Sequence, residues 1–88
     1  MFYVYVLQSL KDNNLYIGFT NNLQKRILKH NSGKVFSTKS RRPLKLIYLE
    51  LCTDKEDAKV REKYLKVGAG KRFIKNRLKH YFKGQLKE

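Results

Sequence analysis

Two short runs near the N-terminus constrain this chain more than any other feature. Residues 2 to 8 place Phe2, Val4 and Val6 on one side and Tyr3, Tyr5 and Leu7 on the other, which is the two-residue period of a strand. Lys11-Asp12-Asn13-Asn14 is turn chemistry, because Asp and Asn accept left-handed backbone and bond back to it. Leu15 to Phe19 resumes the alternation, so the two runs predict a hairpin. If the hairpin pairs like faces, Tyr5 and Tyr16 project into one site, with Gly18 beside them where a side chain would otherwise block a ligand. Tyrosines are also common in strands simply as packing, so this reading needs company.

The rest of the chain supplies helices and one more strand. Thr20-Asn21-Asn22 offers capping side chains before Leu23, Ile27 and His30 at helical spacing, and Asn31-Ser32-Gly33 closes a helix over residues 21 to 31. Arg26 and His30, four apart, border its apolar stripe and point together. Lys34 to Pro43 is a basic connector, either an ordered loop or a flexible clamp, with Lys34, Lys39, Arg41 and Arg42 around Phe36. Leu44 to Leu51 is apolar at nearly every position and reads as a strand buried on both faces at the centre of the sheet.

Thr53 or Asp54 caps a second helix running to about Lys66. In it Glu62 sits at the edge of the apolar arc, placed either to pair with a lysine or to hold a divalent cation. Arg61 falls inside the arc, as a snorkelling side chain or a partner for Glu50. Val67-Gly68-Ala69-Gly70 breaks that helix, and Lys71 to Phe82 makes a third. The expected fold is α+β: a three-stranded, mainly antiparallel sheet with helices packed over it, in the order strand-strand-helix-strand-helix-helix. The 88 residues give one domain, with its core over about residues 1 to 83 and a short C-terminal tail.

Charge narrows the partner. The chain carries 21 Lys and Arg against seven Asp and Glu, a formal +14 with a pI near 10.1, which is the electrostatic footprint of phosphate-backbone binding. From Lys59 to Glu88 there are 11 Lys and Arg against two Glu. This concentration serves either as a solvated helix face or as direct phosphate contact. The apolar runs are too short to span a bilayer, and the first residues lack the pattern of a secretory signal. The lone Cys52 excludes an intramolecular disulfide and reads as a small buried thiol in a reducing compartment, so a cytoplasmic protein is expected.

Taken together, Tyr5, Tyr16, Gly18, Arg26, His30 and Glu62 resemble the GIY-YIG nuclease family, in particular its small stand-alone members. These are related to the N-terminal nuclease module of the excision-repair incision subunit. Tyr3-Val4-Tyr5 matches the first motif, with Tyr3 where the family has glycine, and Tyr16-Ile17-Gly18 matches the second literally. Arg26, His30 one turn on, and Glu62 within Val60-Arg61-Glu62-Lys63 fall where the family pattern has them. His30-Asn31-Ser32-Gly33-Lys34 and Arg41-Arg42-Pro43 also look like the stand-alone members, and Asn76 is the one candidate for the family's late asparagine.

The resemblance implies metal-assisted hydrolysis of a phosphodiester. Glu62 would hold one divalent ion, Mg²⁺ with Mn²⁺ as the alternative, and Arg26 would stabilise charge on the phosphoryl oxygens. Tyr5 would be the general base, its phenolate favoured by surrounding Arg, Lys and metal charge. His30 would accept its proton or bond to the water, and Tyr16 would orient water or phosphate. The implied partner is nucleic acid, DNA ahead of RNA, on a monomer or weak dimer. Gly18, Lys34, Lys39, Arg41, Arg42, Lys71, Arg72 and Arg77 are the expected contacts. The alternative is a basic DNA- or RNA-binding module that keeps the fold and needs no metal; a structural protein docking on an acidic partner ranks below both.

Overall fold

The computed structural model describes residues 1–85. Its elements are β1 (Phe2–Ser9), β2 (Leu15–Thr20), α1 (Leu23–Asn31), β3 (Leu44–Cys52), α2 (Lys55–Lys66), α3 (Gly68–Arg77) and α4 (Lys79–Gln85). A single 3₁₀ turn at Lys39–Arg41 lies within the basic connector. The three strands form one antiparallel sheet in the order β2-β1-β3, so the fold is the α+β arrangement expected from the sequence.

The hairpin turns where the asparagines permit it. Asn13 takes a φ of 63°, and the Asp12 carboxylate accepts from the Asn14 N–H at 2.9 Å, the bond-back that makes Asp a turn residue. Each face of the sheet then gathers its own core. On one, Val4, Val6 and Ile17 pack with Ala58, Leu65 and Ile74 from α2 and α3. On the other, Tyr5, Leu7 and Leu44 pack with Tyr16, Leu23, Ile27 and Leu46, so α1 covers that side.

β1, not β3, is the central strand, and it is buried without interruption from Val4 to Ser9. β3 is an edge strand with Lys45, Leu49 and Leu51 exposed, against the expectation of burial on both faces. A bulge explains the misleading pattern. Leu7 pairs with Leu46 and Val6 with Tyr48, so Ile47 is an extra residue and the alternation changes phase there. Leu44 and Leu46 face α1 from even positions, whereas Leu49 and Leu51 share that face from odd ones, opposite Tyr5 and Tyr3. Two half-patterns joined out of phase look like one continuous apolar run.

The helix ends follow their caps. The Asn22 side chain accepts from the Lys25 N–H at 3.2 Å, and Asp54, rather than Thr53, caps α2 by accepting from Glu56 at 2.8 Å and Asp57 at 3.3 Å. The break after α2 is confined to Val67; Gly68, Ala69 and Gly70 already belong to α3. The expected helix over Lys71 to Phe82 is instead two, separated at Leu78. Cys52 is half-buried, more accessible than its apolar neighbours suggest. No helix among the described residues is long and apolar enough to cross a membrane.

Gly70 is needed for a close approach. A Cβ there would stand 2.0 Å from the Tyr64 carbonyl oxygen and 2.4 Å from the Leu65 Cα, both backbone atoms that cannot yield. Gly84, also helical, has open space around it. Gly70→Ala should therefore destabilise the protein by about 1–3 kcal/mol, as overpacking does. Gly84→Ala should stabilise it by roughly 0.5–1 kcal/mol through helix propensity. Urea unfolding of the two variants checks the pair; equal midpoints would contradict the close approach.

Candidate active site

The hairpin register sets the site. Tyr5 lies directly opposite Gly18, and Leu7 opposite Tyr16, so both phenols rise from the α1 face of the sheet. A Cβ on Gly18 would stand 2.3 Å from the Tyr5 hydroxyl oxygen and from the ring carbon bearing it. The room that glycine leaves is thus filled by the Tyr5 phenol rather than by a ligand. Tyr5 lies across β2 and is 0% exposed.

Its hydroxyl meets α1. Tyr5 lies 2.9 Å from His30 Nε2, and His30 Nδ1 lies 2.8 Å from Thr38 Oγ1 in the basic connector. Thr38 Oγ1 donates in turn to the Val35 carbonyl at 3.5 Å. Every group is satisfied when Thr38 donates to that carbonyl, His30 Nδ1–H donates to Thr38 and the bare Nε2 accepts from Tyr5. Arg26 Nε donates to the same Tyr5 hydroxyl at 3.3 Å. Tyr16 packs edge-on to the His30 ring, with centroids 4.9 Å apart. Tyr5, Tyr16, Arg26 and His30 therefore do meet at one place.

Burial decides the proton positions. Desolvation raises the Tyr5 pKa above the usual phenol value, outweighing the lowering by Arg26, so the free protein holds a neutral phenol. Of the cations expected to favour the phenolate, Arg26 does act in that direction, but in the metal-free protein burial outweighs it. Burial, aided by the Arg26 charge, pushes His30 down to about 4, leaving a neutral imidazole. The bond to Tyr5 raises Arg26 further, and it stays charged.

Other expected residues are placed less centrally. Glu62 is half-buried near enough for its charge to raise Tyr5, and its carboxylate meets Lys66 Nζ at 3.1 Å. Arg61 is the partner of Glu50, in a two-pronged pair at 2.9 and 3.0 Å. Asn76 is exposed on α3. Lys34, Lys39 and Arg42 are exposed and Arg41 is half-buried along the connector, while Lys71, Arg72 and Arg77 are exposed on α3. The connector is an ordered loop; Phe36, 95% exposed, stands out from it between Lys39 and Arg42.

Two site-building residues are not evident from the sequence. Thr38 is fully buried as the second partner of His30. Asn31, which the sequence marks as a helix end and as part of the His30–Lys34 segment but gives no role at the site, exchanges bonds with both backbone groups of Leu44 at 2.8 and 3.0 Å, tying α1 to β3. A hydroxyl eight residues after a buried histidine is too weak a sequence signal to single out Thr38.

Because His30 is held neutral, its folded pKa lies below the ordinary value of 6.5. The unfolded chain then binds the proton first, and stability falls as pH drops from about 6.5 toward 4. By pH 5 the loss from this group should be on the order of 2 kcal/mol. Urea unfolding of wild type and His30→Gln at pH 7 and pH 5 measures it; identical pH slopes in the two proteins would show that His30 does not titrate this way.

Comparison with known proteins agrees with this geometry. The family model of the GIY-YIG catalytic domain matches residues 1–73, which include every site residue above except Asn76 and Arg77. A UPF0213 protein of Clostridium perfringens is 49% identical over 67 residues, covering 75% of this chain and 71% of that one. A UPF0213 protein of Staphylococcus haemolyticus is 46% identical over 65 residues, covering 73% and 78%. The solution NMR structure of the UPF0213 protein BH0048 from Bacillus halodurans superposes with a TM-score of 0.54 at 35% identity, covering 90% of this chain and 86% of that one. The chain belongs to the GIY-YIG family, among relatives of the UPF0213 group.

Proposed function

We propose that this protein is a metal-dependent endonuclease of the cytoplasm that hydrolyses phosphodiester bonds, with DNA preferred to RNA and structure recognised ahead of sequence. The observation that carries the reading is the Tyr5 hydroxyl held between His30 Nε2 at 2.9 Å and Arg26 Nε at 3.3 Å. A phenol with a bare imidazole behind it has somewhere to send its proton, and a guanidinium in front of it binds a phosphate.

The free phenol is neutral and buried, so it acts as a base only by relay. A phosphate drawing Arg26 toward itself uncovers the hydroxyl. Tyr5 then takes a proton from the attacking water while passing its own to His30 Nε2, leaving an imidazolium that Thr38 holds in orientation through Nδ1–H. Arg26, released to the phosphate, spreads its planar charge over the phosphoryl oxygens. Tyr16, half-exposed beside them, orients the water or the phosphate.

Glu62 fits a hard divalent ion in part. Among the described residues no group of three or more acidic, His or Cys side chains gathers to hold a metal, so one carboxylate is available at the site. Mg²⁺ commonly makes do with one or two carboxylates plus substrate phosphate and water. Glu62 would hold the ion, once freed from Lys66, together with the bound phosphate. Such an ion supplies polarisation of the phosphate and neutralisation of the leaving oxygen.

Branched, nicked and single-stranded substrates should be cut with Mg²⁺ and spared without it. Arg26→Ala, Tyr5→Phe and Glu62→Ala should each lower the rate by about 10²–10³ or more, the scale of losing one charge-stabilising group. Circular dichroism should report an intact fold. Undiminished cleavage by purified Arg26→Ala or Glu62→Ala would sink the assignment, and a wild type that binds without cutting would leave a binding module.

A further inference from the structure

The second face of the sheet carries a feature that the cleavage site does not use. Lys71, Lys75, Lys79 and Lys83 recur every fourth residue along α3 and α4, and all four line one groove of about 1220 Å³. Residues four apart in a helix are neighbours about 6 Å apart along its axis, so Lys71 and Lys75 pair on α3 and Lys79 and Lys83 on α4, and the shared groove brings the two pairs together. Arg41 adds a fifth cation from the connector. The floor is apolar, made by Leu15, Ile17 and Phe82.

The groove's charge is poorly neutralised from within. Among the described residues Asp12 is the one acid lining it, and it meets Arg41 Nε at 3.4 Å. A cationic wall and an apolar floor with an aromatic ring make a site for a polyanion that also has apolar parts. A double helix presents phosphates outward and hides its bases, so it would leave the apolar floor unused. A single strand offers both phosphates and base faces.

Position links the groove to the cleavage site. Leu15 and Tyr16 are consecutive on β2, and successive strand residues point to opposite faces. Leu15 therefore floors the groove while Tyr16 faces His30, so the two lie back to back across the free edge of β2. We propose that the Lys71–Lys75–Lys79–Lys83 groove binds single-stranded nucleic acid, and that it holds the unpaired arm of a substrate whose scissile bond lies at Tyr5 and Arg26. The second clause rests on the nuclease reading; the first does not.

The test is binding of a fluorescently labelled oligothymidylate by the full chain, followed by anisotropy across a salt series without metal. Lys75→Gln/Lys79→Gln should bind at least about tenfold more weakly. Its log-log salt slope should be shallower by about 1.4, at roughly 0.7 for each single-strand phosphate that a lysine no longer neutralises. Lys55→Gln/Lys63→Gln removes the same charge from exposed positions of α2 outside the groove and should stay within about twofold of wild type. All four lysines are exposed, so both variants should keep the wild-type melting temperature.

Equal losses in the two variants would overturn the proposal, since net charge alone would then explain them. So would a groove variant that loses binding to duplex or to polyglutamate but keeps its hold on the oligonucleotide. Cleavage is scored separately. If the wild type cuts nothing while the groove pair still loses single-strand binding, the nuclease reading fails and the groove stands; if it cuts and the groove pair binds normally, the reverse holds.

Discussion

Strand β1 is covered on both faces, and three of the side chains it buries are polar. Tyr5, Gln8 and Ser9 are at most 2% exposed, and a polar group taken out of water without a partner costs on the order of 1–3 kcal/mol. Each meets that demand by drawing in a different distant segment. Tyr5 takes His30 and Arg26 from α1. Ser9 donates to the Arg41 carbonyl at 2.7 Å and accepts from the Lys11 and Asp12 N–H groups, fixing the connector against the hairpin turn. Gln8 accepts from Tyr81 at 2.6 Å and Gln85 at 2.9 Å and donates to the Asn13 carbonyl, fixing α4. One strand's need for satisfied polar groups thus places the Tyr5–His30–Arg26 cluster, the basic connector and the wall of the lysine groove.

The hairpin and its two tyrosines are legible in the sequence because alternation and turn chemistry are local, and local rules hold where no irregularity intervenes. β3 misleads for a physical reason. The bulge at Ile47 changes the phase of alternation, and a sequence cannot distinguish a strand buried on both faces from two out-of-phase halves of an edge strand. The Val67 to Gly70 stretch misleads similarly. Glycine there suggests a broken chain, whereas Gly70 serves a helix whose first turn presses on the end of α2. Close approach and chain breaking use the same residue, and only the third dimension separates them.

The chemistry is legible in its membership but not in its protonation. Surrounding Arg, Lys and metal charge are expected to favour a phenolate, and of these the metal-free protein carries the side-chain charges alone. Most of that charge is at the surface, screened by water, and only the Arg26 guanidinium bonds to the phenol. Burial acts on Tyr5 at full strength and wins. The same burial keeps His30 unprotonated and therefore able to accept. A low dielectric here yields a neutral acid beside a neutral base, where a sum of charges would have given an ion pair.

The acidic residues make the reverse argument, because a chain this basic has few to spare. Asp12 shapes the hairpin turn, and Asp54 caps α2. Glu56 and Asp57 sit in the first turn of α2, where negative charge favours the helix. Glu50 is held by both prongs of Arg61 and accepts from Tyr48 at 2.8 Å. Among the described residues that leaves Glu62, whose tie to Lys66 is an i,i+4 pair with a half-exposed lysine, a kind worth only about 0.3–0.5 kcal/mol. A half-buried carboxylate with so slight a structural role, close enough to perturb the buried phenol, is the described acid least committed to holding the fold together.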